Sequence, residues 1–125
     1  MIQYLIDSNI AVYALGGVYP KLRERMMACA PGEIAISVIS FAEVAHGTYA
    51  GKPPTTDALE AFVSVIPLVP FDEAAAREYA RLPFRRARFD RLLAAHALSI
   101  GATVVTANLG DFGDVPGLLV EDWTL

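Results

Sequence analysis

The chain alternates between short apolar runs and longer segments in which apolar side chains recur every three or four residues. The short runs are bounded by charged residues, proline or glycine, a pattern typical of buried strands. The clearest of them is ATVVT, in which β-branched residues predominate. This pattern predicts five strands, at 2–6, 33–37, 67–71, 102–106 and 118–122.

Helical spacing fills the intervals between these strands. Ser40 followed by Glu43 is typical of a capping box and predicts the start of a helix, while Asp72 and Gly101 are predicted to begin and end two others. The predicted helices lie at about 8–15, 20–30, 40 to 47 or 51, 57–66, 73–82 and 91–100. Strands that alternate with helices predict βαβ units. We therefore expect a single domain over 1–125, a three-layer α/β/α fold with a mainly parallel central sheet.

The composition allows a substantial core, because hydrophobic residues make up 54% of the 125 residues. No apolar run approaches the roughly 20 residues needed to cross a membrane. The N-terminal sequence MIQYLIDSNI lacks the basic start and cleavage site of a signal peptide. Cys29 is the single cysteine and cannot form an internal disulfide, which suits a reducing compartment. We therefore expect a cytoplasmic protein that does not bind membranes.

The net charge of −4 disfavours nucleic-acid binding by the surface as a whole, since phosphate binding usually calls for a positive face. The positive charges are unevenly distributed, however. Arg85, Arg86 and Arg88 lie just before Asp90 and are candidate contacts for RNA phosphates. A solvated arginine-rich turn that pairs with surface acids is the alternative. Five arginines fall between positions 81 and 91: Arg81, Arg85, Arg86, Arg88 and Arg91.

Oxygen-bearing side chains follow the predicted strands at the points where the strands end. Asp7 directly follows the first strand, and Glu43 lies in the predicted first helical turn after the second. Asp90 begins the helix that leads into the ATVVT strand, and Asn108 and Asp111 lie in the loop beyond it. Open parallel sheets bind ligands at the carboxyl ends of their strands. We therefore expect these side chains to meet at one edge of the sheet.

Each of these acids also has a structural explanation that the sequence leaves open. Glu43 could complete the capping box with Ser40. Asp7 or Asp90 could cap the helix that follows it, and Asp111 could be an ordinary loop residue. The functional interpretation depends on the conjunction of the acids rather than on any one of them.

Carboxylates gathered at one edge would repel one another, and a divalent cation removes that repulsion. Oxygen ligands without Cys or His favour Mg²⁺ or Mn²⁺ over zinc. Such an ion activates water and stabilises charge on a phosphodiester. His46 and His96 have no serine or cysteine partner that indicates nucleophilic catalysis, and His96 is expected to be a hydrogen-bonded core residue. The pattern therefore predicts a metal-dependent nuclease.

Four segments together resemble the VapC toxins of the PIN-domain family. They are LIDSN at 5–9, ISVISFAEVAHG at 36–47, RFDRLLAAHALSIGATVVTAN at 88–108 and DFGDVPGLLVEDW at 111–123. They occur in order from one end of the chain to the other, with a looser match around 50–85. The resemblance implies a PIN fold and a Mg²⁺- or Mn²⁺-dependent endoribonuclease activity.

The resemblance also implies roles for individual residues. Asp7, Glu43 and Asp90 match the first, second and third acids of the family, which act as catalytic residues and metal ligands. Asn9 and Ser37 match polar residues that help to arrange the site.

The fourth acidic position of the family falls in the loop after ATVVT. Asn108 stands there in place of the Asp of many members, and Asp111 follows it. We prefer Asp111 as the fourth metal ligand, with Asn108 as the alternative ligand or, otherwise, a supporting polar residue. The resemblance further implies a homodimer, held inactive by a small VapB-like antitoxin whose C-terminal segment occupies the acidic site.

Other α/β classes fit the sequence less well. A response-regulator receiver domain requires an acidic pair after the first strand and a late lysine, whereas the only lysines here are Lys21 and Lys52. A haloacid-type phosphatase requires Asp-x-Asp where this chain has Asp-Ser-Asn, and no glycine-rich phosphate loop is present. The remaining alternative is a PIN-like module that has lost catalysis and acts through a protein partner. Metal-dependent cleavage separates the two.

Overall fold

A five-stranded parallel sheet organises the fold. The computed structural model describes residues 1–125, and its strands are hydrogen-bonded in an order that differs from their order along the chain. The strands are β1 (Tyr4–Ile6), β2 (Ile34–Ser37), β3 (Leu68–Val69), β4 (Thr103–Val105) and β5 (Val120–Glu121). Their order is β3-β2-β1-β4-β5, and every pair is parallel. The predicted α/β class is therefore confirmed, and each strand is shorter than its apolar run.

Six α-helices accompany the strands. They are α1 (Ser8–Gly16), α2 (Pro20–Met27), α3 (Val38–Tyr49), α4 (Thr56–Val65), α5 (Glu73–Ala80) and α6 (Arg88–Ile100), and a short 3₁₀ helix spans Leu109–Asp111. Asp7, Thr55 and Asp72 cap α1, α4 and α5 with side-chain oxygens, as residues of these types favour. The helix α6 ends at Gly101, whose φ of 67° is left-handed. No helix combines the length and the apolar surface that crossing a membrane requires.

The start of α3 differs from the prediction. The helix begins at Val38, and its cap is Ser37, whose Oγ accepts a hydrogen bond from the Ile39 N–H at 3.0 Å. Ser40 lies inside the helix, and its buried Oγ has no hydrogen-bond partner. The predicted capping box between Ser40 and Glu43 is therefore wrong, because the serine that ends β2 already supplies the acceptor.

Two separate clusters of apolar side chains cover the faces of the sheet. Successive side chains of a strand point to opposite faces, and in β1 Leu5 and Ile6 are both fully buried. Leu5 packs with Phe112 and the apolar side of α6. Ile6 packs with Trp123 and with residues of α1, α3 and α4. The central strands β1 and β4 are thus held from both sides, which fixes the carboxyl edge of the sheet where the acids lie.

Candidate active site

Asp7 follows β1 at the carboxyl edge of the sheet. Its backbone N–H donates to the Val105 carbonyl at 3.0 Å, and its Oδ1 accepts from the Ile10 N–H at 2.8 Å. Burial raises the pKa of Asp7, while the Thr106 hydroxyl and the N–H groups of Ile10 and Asn9 act in the opposite direction. Capping and a place in the site are compatible for Asp7, because a carboxylate has a second oxygen.

Glu43 lies in the second turn of α3 rather than in the predicted first turn, because the helix already begins at Val38. Its half-buried carboxyl group lies beside the Ser8 hydroxyl. Burial raises the pKa of Glu43, and the negative charges of Asp90 and Asp7 raise it further. Since repulsion of this kind requires short separations, α3 brings Glu43 to the same rim as Asp7.

Asp90 lies in the first turn of α6 without capping it. The cap position is Ala87, which makes no side-chain hydrogen bond, and Asp90 forms no salt bridge. Burial raises the pKa of Asp90, as does repulsion from Asp111 and Asp7, while Arg91 lowers it. The Asp111 side chain is therefore a close neighbour of Asp90.

The loop after β4 adds Asn108 and Asp111 to the site. The Asn108 side-chain amide donates to Asp111 Oδ2 at 2.6 Å, and the Asn108 backbone N–H donates to Thr106 Oγ1 at 3.0 Å. Thr106 is fully buried, and its hydroxyl lies beside Asp7. Both candidates for the fourth ligand therefore lie at the rim, and the charge of Asp111 acts on Asp90 and Asp7.

Four carboxyl groups thus come together in what we call the acidic cluster: Asp7, Glu43, Asp90 and Asp111. Its donors are all oxygens, the type that Mg²⁺ and Mn²⁺ prefer. No group of three or more His, Cys, Asp or Glu side chains is arranged closely enough to hold a metal ion as the side chains stand. Carboxylates without a cation repel one another, which keeps these side chains apart. Metal binding here therefore requires the side chains to rotate toward a common point. The donor chemistry fits a hard divalent cation, and metal binding stays a prediction.

The two residues expected to support the site occupy different environments. Asn9 is exposed in the first turn of α1, and its backbone N–H lies near the Asp7 carboxylate. Ser37 is fully buried, and its Oγ lies 2.7 Å from His96 Nδ1. The His96 ring packs edge-on against Phe71. His96 is therefore a hydrogen-bonded core residue, as expected, although the sequence did not predict its serine partner. Ser37 caps α3.

Two hydroxyl groups at the rim were not predicted from the sequence. Ser8 lies beside Glu43, and Thr106 lies beside Asp7. Each hydroxyl lowers the pKa of its neighbouring carboxyl group, because it favours the charged form. The signal for Thr106 was its position directly after β4, at the same sheet edge as the acids.

The arginines before and within α6 divide into two groups. Arg91 is 4% exposed and donates to Asp114 at 2.6 Å, and this bond lowers the pKa of Asp114. Arg85 pairs with the same carboxylate at 2.6 Å, so one candidate RNA contact instead ties the segment before α6 to the loop after β4. Arg86 and Arg88 are exposed and form no salt bridge.

Comparisons with known proteins agree with this geometry. A model of the PIN domain matches residues 4–118. The tRNA(fMet)-specific endonuclease VapC of Shigella flexneri is 31% identical over 133 residues, covering 99% of this chain and 100% of the relative.

Solved structures match over the same extent. VapBC2 from Rickettsia felis, bound to a DNA fragment from its promoter, has a TM-score of 0.84 and 29% identity, covering 98% of this chain and 99% of the other. DNA-bound VapBC from Salmonella typhimurium has a TM-score of 0.81 and 27% identity, with the same coverage of 98% and 99%.

Proposed function

Because the chain belongs to the PIN-domain family, and within it to the VapC endonucleases, we propose that it is a Mg²⁺- or Mn²⁺-dependent endoribonuclease and the toxin of a VapBC-like toxin–antitoxin module. The acidic cluster is the observation that supports this most directly. Asp7, Glu43 and Asp90 come from separate elements, and burial together with repulsion between neighbours raises the pKa of each. Carboxyl groups whose charged form is disfavoured by burial and by neighbouring charges are more typical of a functional site than of a site that stabilises the fold.

Asp7 and Asp90 are the proposed principal metal ligands, and Asp111 is proposed to complete the shell. Asn108 holds Asp111 through its side-chain amide. When bound, the ion supplies activation of water and stabilisation of the charge that develops on the phosphodiester.

Glu43 is the group best suited to orient the attacking water and accept its proton, or to hold the ion through water. Burial and the charges of Asp90 and Asp7 raise the pKa of Glu43, which moves it toward the range where a carboxylate is an effective base near neutral pH. A water oxygen would attack phosphorus as its proton passes to Glu43, and the leaving oxygen would take a proton from solvent as its bond to phosphorus breaks.

A VapB-like antitoxin is the proposed partner, and RNA is the proposed substrate. The similar structures from Rickettsia felis and Salmonella typhimurium are VapBC assemblies. An antitoxin arginine that entered the acidic cluster would form charge-assisted hydrogen bonds there and compete with the metal. We also propose that the chain is a homodimer, which sedimentation of the purified chain tests.

The test of the proposed function is cleavage of total cellular RNA by the wild-type chain and by Asp7→Asn, in Mg²⁺, in Mn²⁺ and in EDTA. We expect discrete fragments with either metal and none in EDTA. Asp7→Asn should lower the cleavage rate by at least about 100-fold, because removing a ligand exceeds the 10- to 100-fold effect of removing a residue that only supports one.

Asp57→Asn is the matched control, since it makes the same charge change at an exposed position in the first turn of α4. It should cleave as the wild type does. Full activity of Asp7→Asn would overturn the assignment of the acidic cluster. Absence of cleavage by antitoxin-free wild-type chain in both metals would instead favour a PIN-like module that acts through a protein partner.

A further inference from the structure

Two exposed aromatic rings stand next to the acidic cluster. Phe84 is 70% exposed and Phe89 is 51% exposed. They line one surface cavity together with Arg86, Arg88 and Leu92. Aromatic rings are costly to leave in water, and both residues are more than half exposed, although the Arg88 guanidinium lies over the Phe84 ring.

Phe89 connects this cavity to the acidic cluster. The Phe89 side chain also lines a second cavity, together with Ala42, Glu43 and His46. Asp90 is the next residue in the chain. A phosphodiester held at Glu43 and Asp90 would therefore place its neighbouring nucleotide beside the Phe89 ring.

We propose that Phe84 and Phe89 form an aromatic platform on which bases of single-stranded RNA stack, while Arg86 and Arg88 contact the flanking phosphates. The proposal rests on the proposed ribonuclease function and adds the residues that would hold the bases of the substrate. Bases in a duplex are already paired and stacked, so only an unpaired base can place its face on a side-chain ring. The site would therefore bind unpaired RNA in loops, bulges or strand ends and would not bind a regular RNA duplex.

The charges around the platform fit a nucleic acid. Arg88 lies over the Phe84 ring at 5.5 Å from its centroid, an arrangement that combines an aromatic face with a cation. Arg86 and Arg88 have no acidic partner, whereas Arg85 is already paired with Asp114. Two exposed rings and two guanidinium groups without acidic partners lie around one cavity, so this surface offers both the stacking faces and the positive charge that a single strand requires.

The experiment measures binding by fluorescence anisotropy in an Asp7→Asn background, so that RNA stays intact. The probes are a fluorescein-labelled single-stranded RNA and the same strand annealed to its complement. We expect tighter binding of the single strand, and Phe89→Leu should weaken that binding by about 5- to 100-fold, the range that base stacking contributes. Phe89→Trp keeps a stacking surface and should retain the affinity.

Tyr49→Leu is the matched control, because Tyr49 is an exposed ring, 86% accessible, that lines neither cavity. A second measurement uses single-stranded RNA carrying 5-iodouridine, which should crosslink to Phe84 or Phe89 on irradiation. Sedimentation of each variant reports its oligomeric state.

The outcomes separate this proposal from the proposed function. If the wild type cleaves RNA while Phe89→Leu binds single strands as tightly as Tyr49→Leu, the platform is overturned and the ribonuclease stands. If the wild type neither cleaves nor binds RNA, both proposals fail. If Phe89→Leu changes the oligomeric state and leaves RNA affinity unchanged, the rings belong to an interface between copies and the platform is overturned.

Discussion

At the scale of single residues, Asp7 illustrates how one side chain serves both the fold and the site. Its Oδ1 caps α1 by accepting from the Ile10 N–H at 2.8 Å, and the remaining oxygen is available at the rim. Burial raises the pKa of Asp7, which means that its charged form is disfavoured in the folded chain. The charge at this position therefore destabilises the metal-free protein.

The first prediction follows from the sign of that shift. Burial and neighbouring negative charges raise the pKa values of Asp7, Glu43 and Asp90 in the folded chain above those of the same groups in the unfolded chain. In the pH window between the unfolded-state and the folded-state pKa values of these groups, the folded chain therefore binds more protons than the unfolded chain. Stability contributed by these groups is therefore greatest below the window and decreases as pH rises through it. Denaturant titrations in EDTA at a series of pH values measure this.

Asp7→Asn should make the metal-free protein more stable near neutral pH and flatten this pH dependence. Asparagine keeps a side-chain acceptor for the α1 cap and removes the buried charge. Asp57→Asn, at an exposed position, should leave the pH dependence unchanged. Equal stability of the wild type and Asp7→Asn in EDTA at neutral pH would show that the Asp7 charge is not opposed by the fold.

At the scale of secondary-structure elements, a buried hydrogen bond joins the two helices that hold Glu43 and Asp90. Ser37 Oγ accepts from the Ile39 N–H at the start of α3, so its own hydroxyl hydrogen is free to donate to His96 Nδ1, 2.7 Å away in α6. Burial lowers the pKa of His96, which favours the neutral ring that accepts at Nδ1. The relative position of α3 and α6 therefore depends on this contact.

The second prediction concerns this bond. His96→Phe keeps a ring against Phe71 but leaves the buried Ser37 hydroxyl without an acceptor, which should lower the free energy of unfolding by about 1–3 kcal/mol. The double variant with Ser37→Ala should lose less than the sum of the single variants, because the two residues interact. Ser99→Ala, which removes a half-buried bond to the carbonyl of His96 within α6, is the control. Strict additivity of Ser37→Ala and His96→Phe would contradict the bond.

At the scale of the whole molecule, the two clusters of apolar side chains pack against both faces of β1 and β4, while the acids at the carboxyl ends of the strands repel one another. A ligand that binds only the folded chain stabilises it by mass action. The fold thus supplies a packed frame, and a cation would relieve the remaining repulsion at its edge.

The third prediction is that Mg²⁺ or Mn²⁺ raises the Tm of the wild type. At about ten times the Kd the added stability is about 1.4 kcal/mol, which for a chain of this size corresponds to several degrees. Asp7→Asn should show little of this rise and Asp57→Asn all of it, as measured by scanning calorimetry. An equal rise in wild type and Asp7→Asn would place metal binding outside the acidic cluster.

Prediction from sequence succeeded where the signal was local. The apolar runs located all five strands, and the position of Asp7 and Asp90 relative to those strands placed them at one edge. It failed at the start of α3, where Ser37 and Ser40 both fit a cap and only the end of β2 distinguishes them. It also missed the salt bridge between Arg91 and Asp114, because the two residues are separated by 23 positions.

Local patterns in the sequence specify the succession of strands and helices, the parallel α/β class and the side chains that carry oxygen donors, because periodicity and side-chain chemistry are properties of neighbouring residues. The strand order β3-β2-β1-β4-β5 is visible only in the folded chain. The tertiary structure alone paired Ser37 with His96 across 59 positions and brought Glu43, Asp90 and Asp111 close enough to Asp7 to influence one another. These contacts join segments that are distant in the chain, so they depend on how the whole core packs and not on any local pattern.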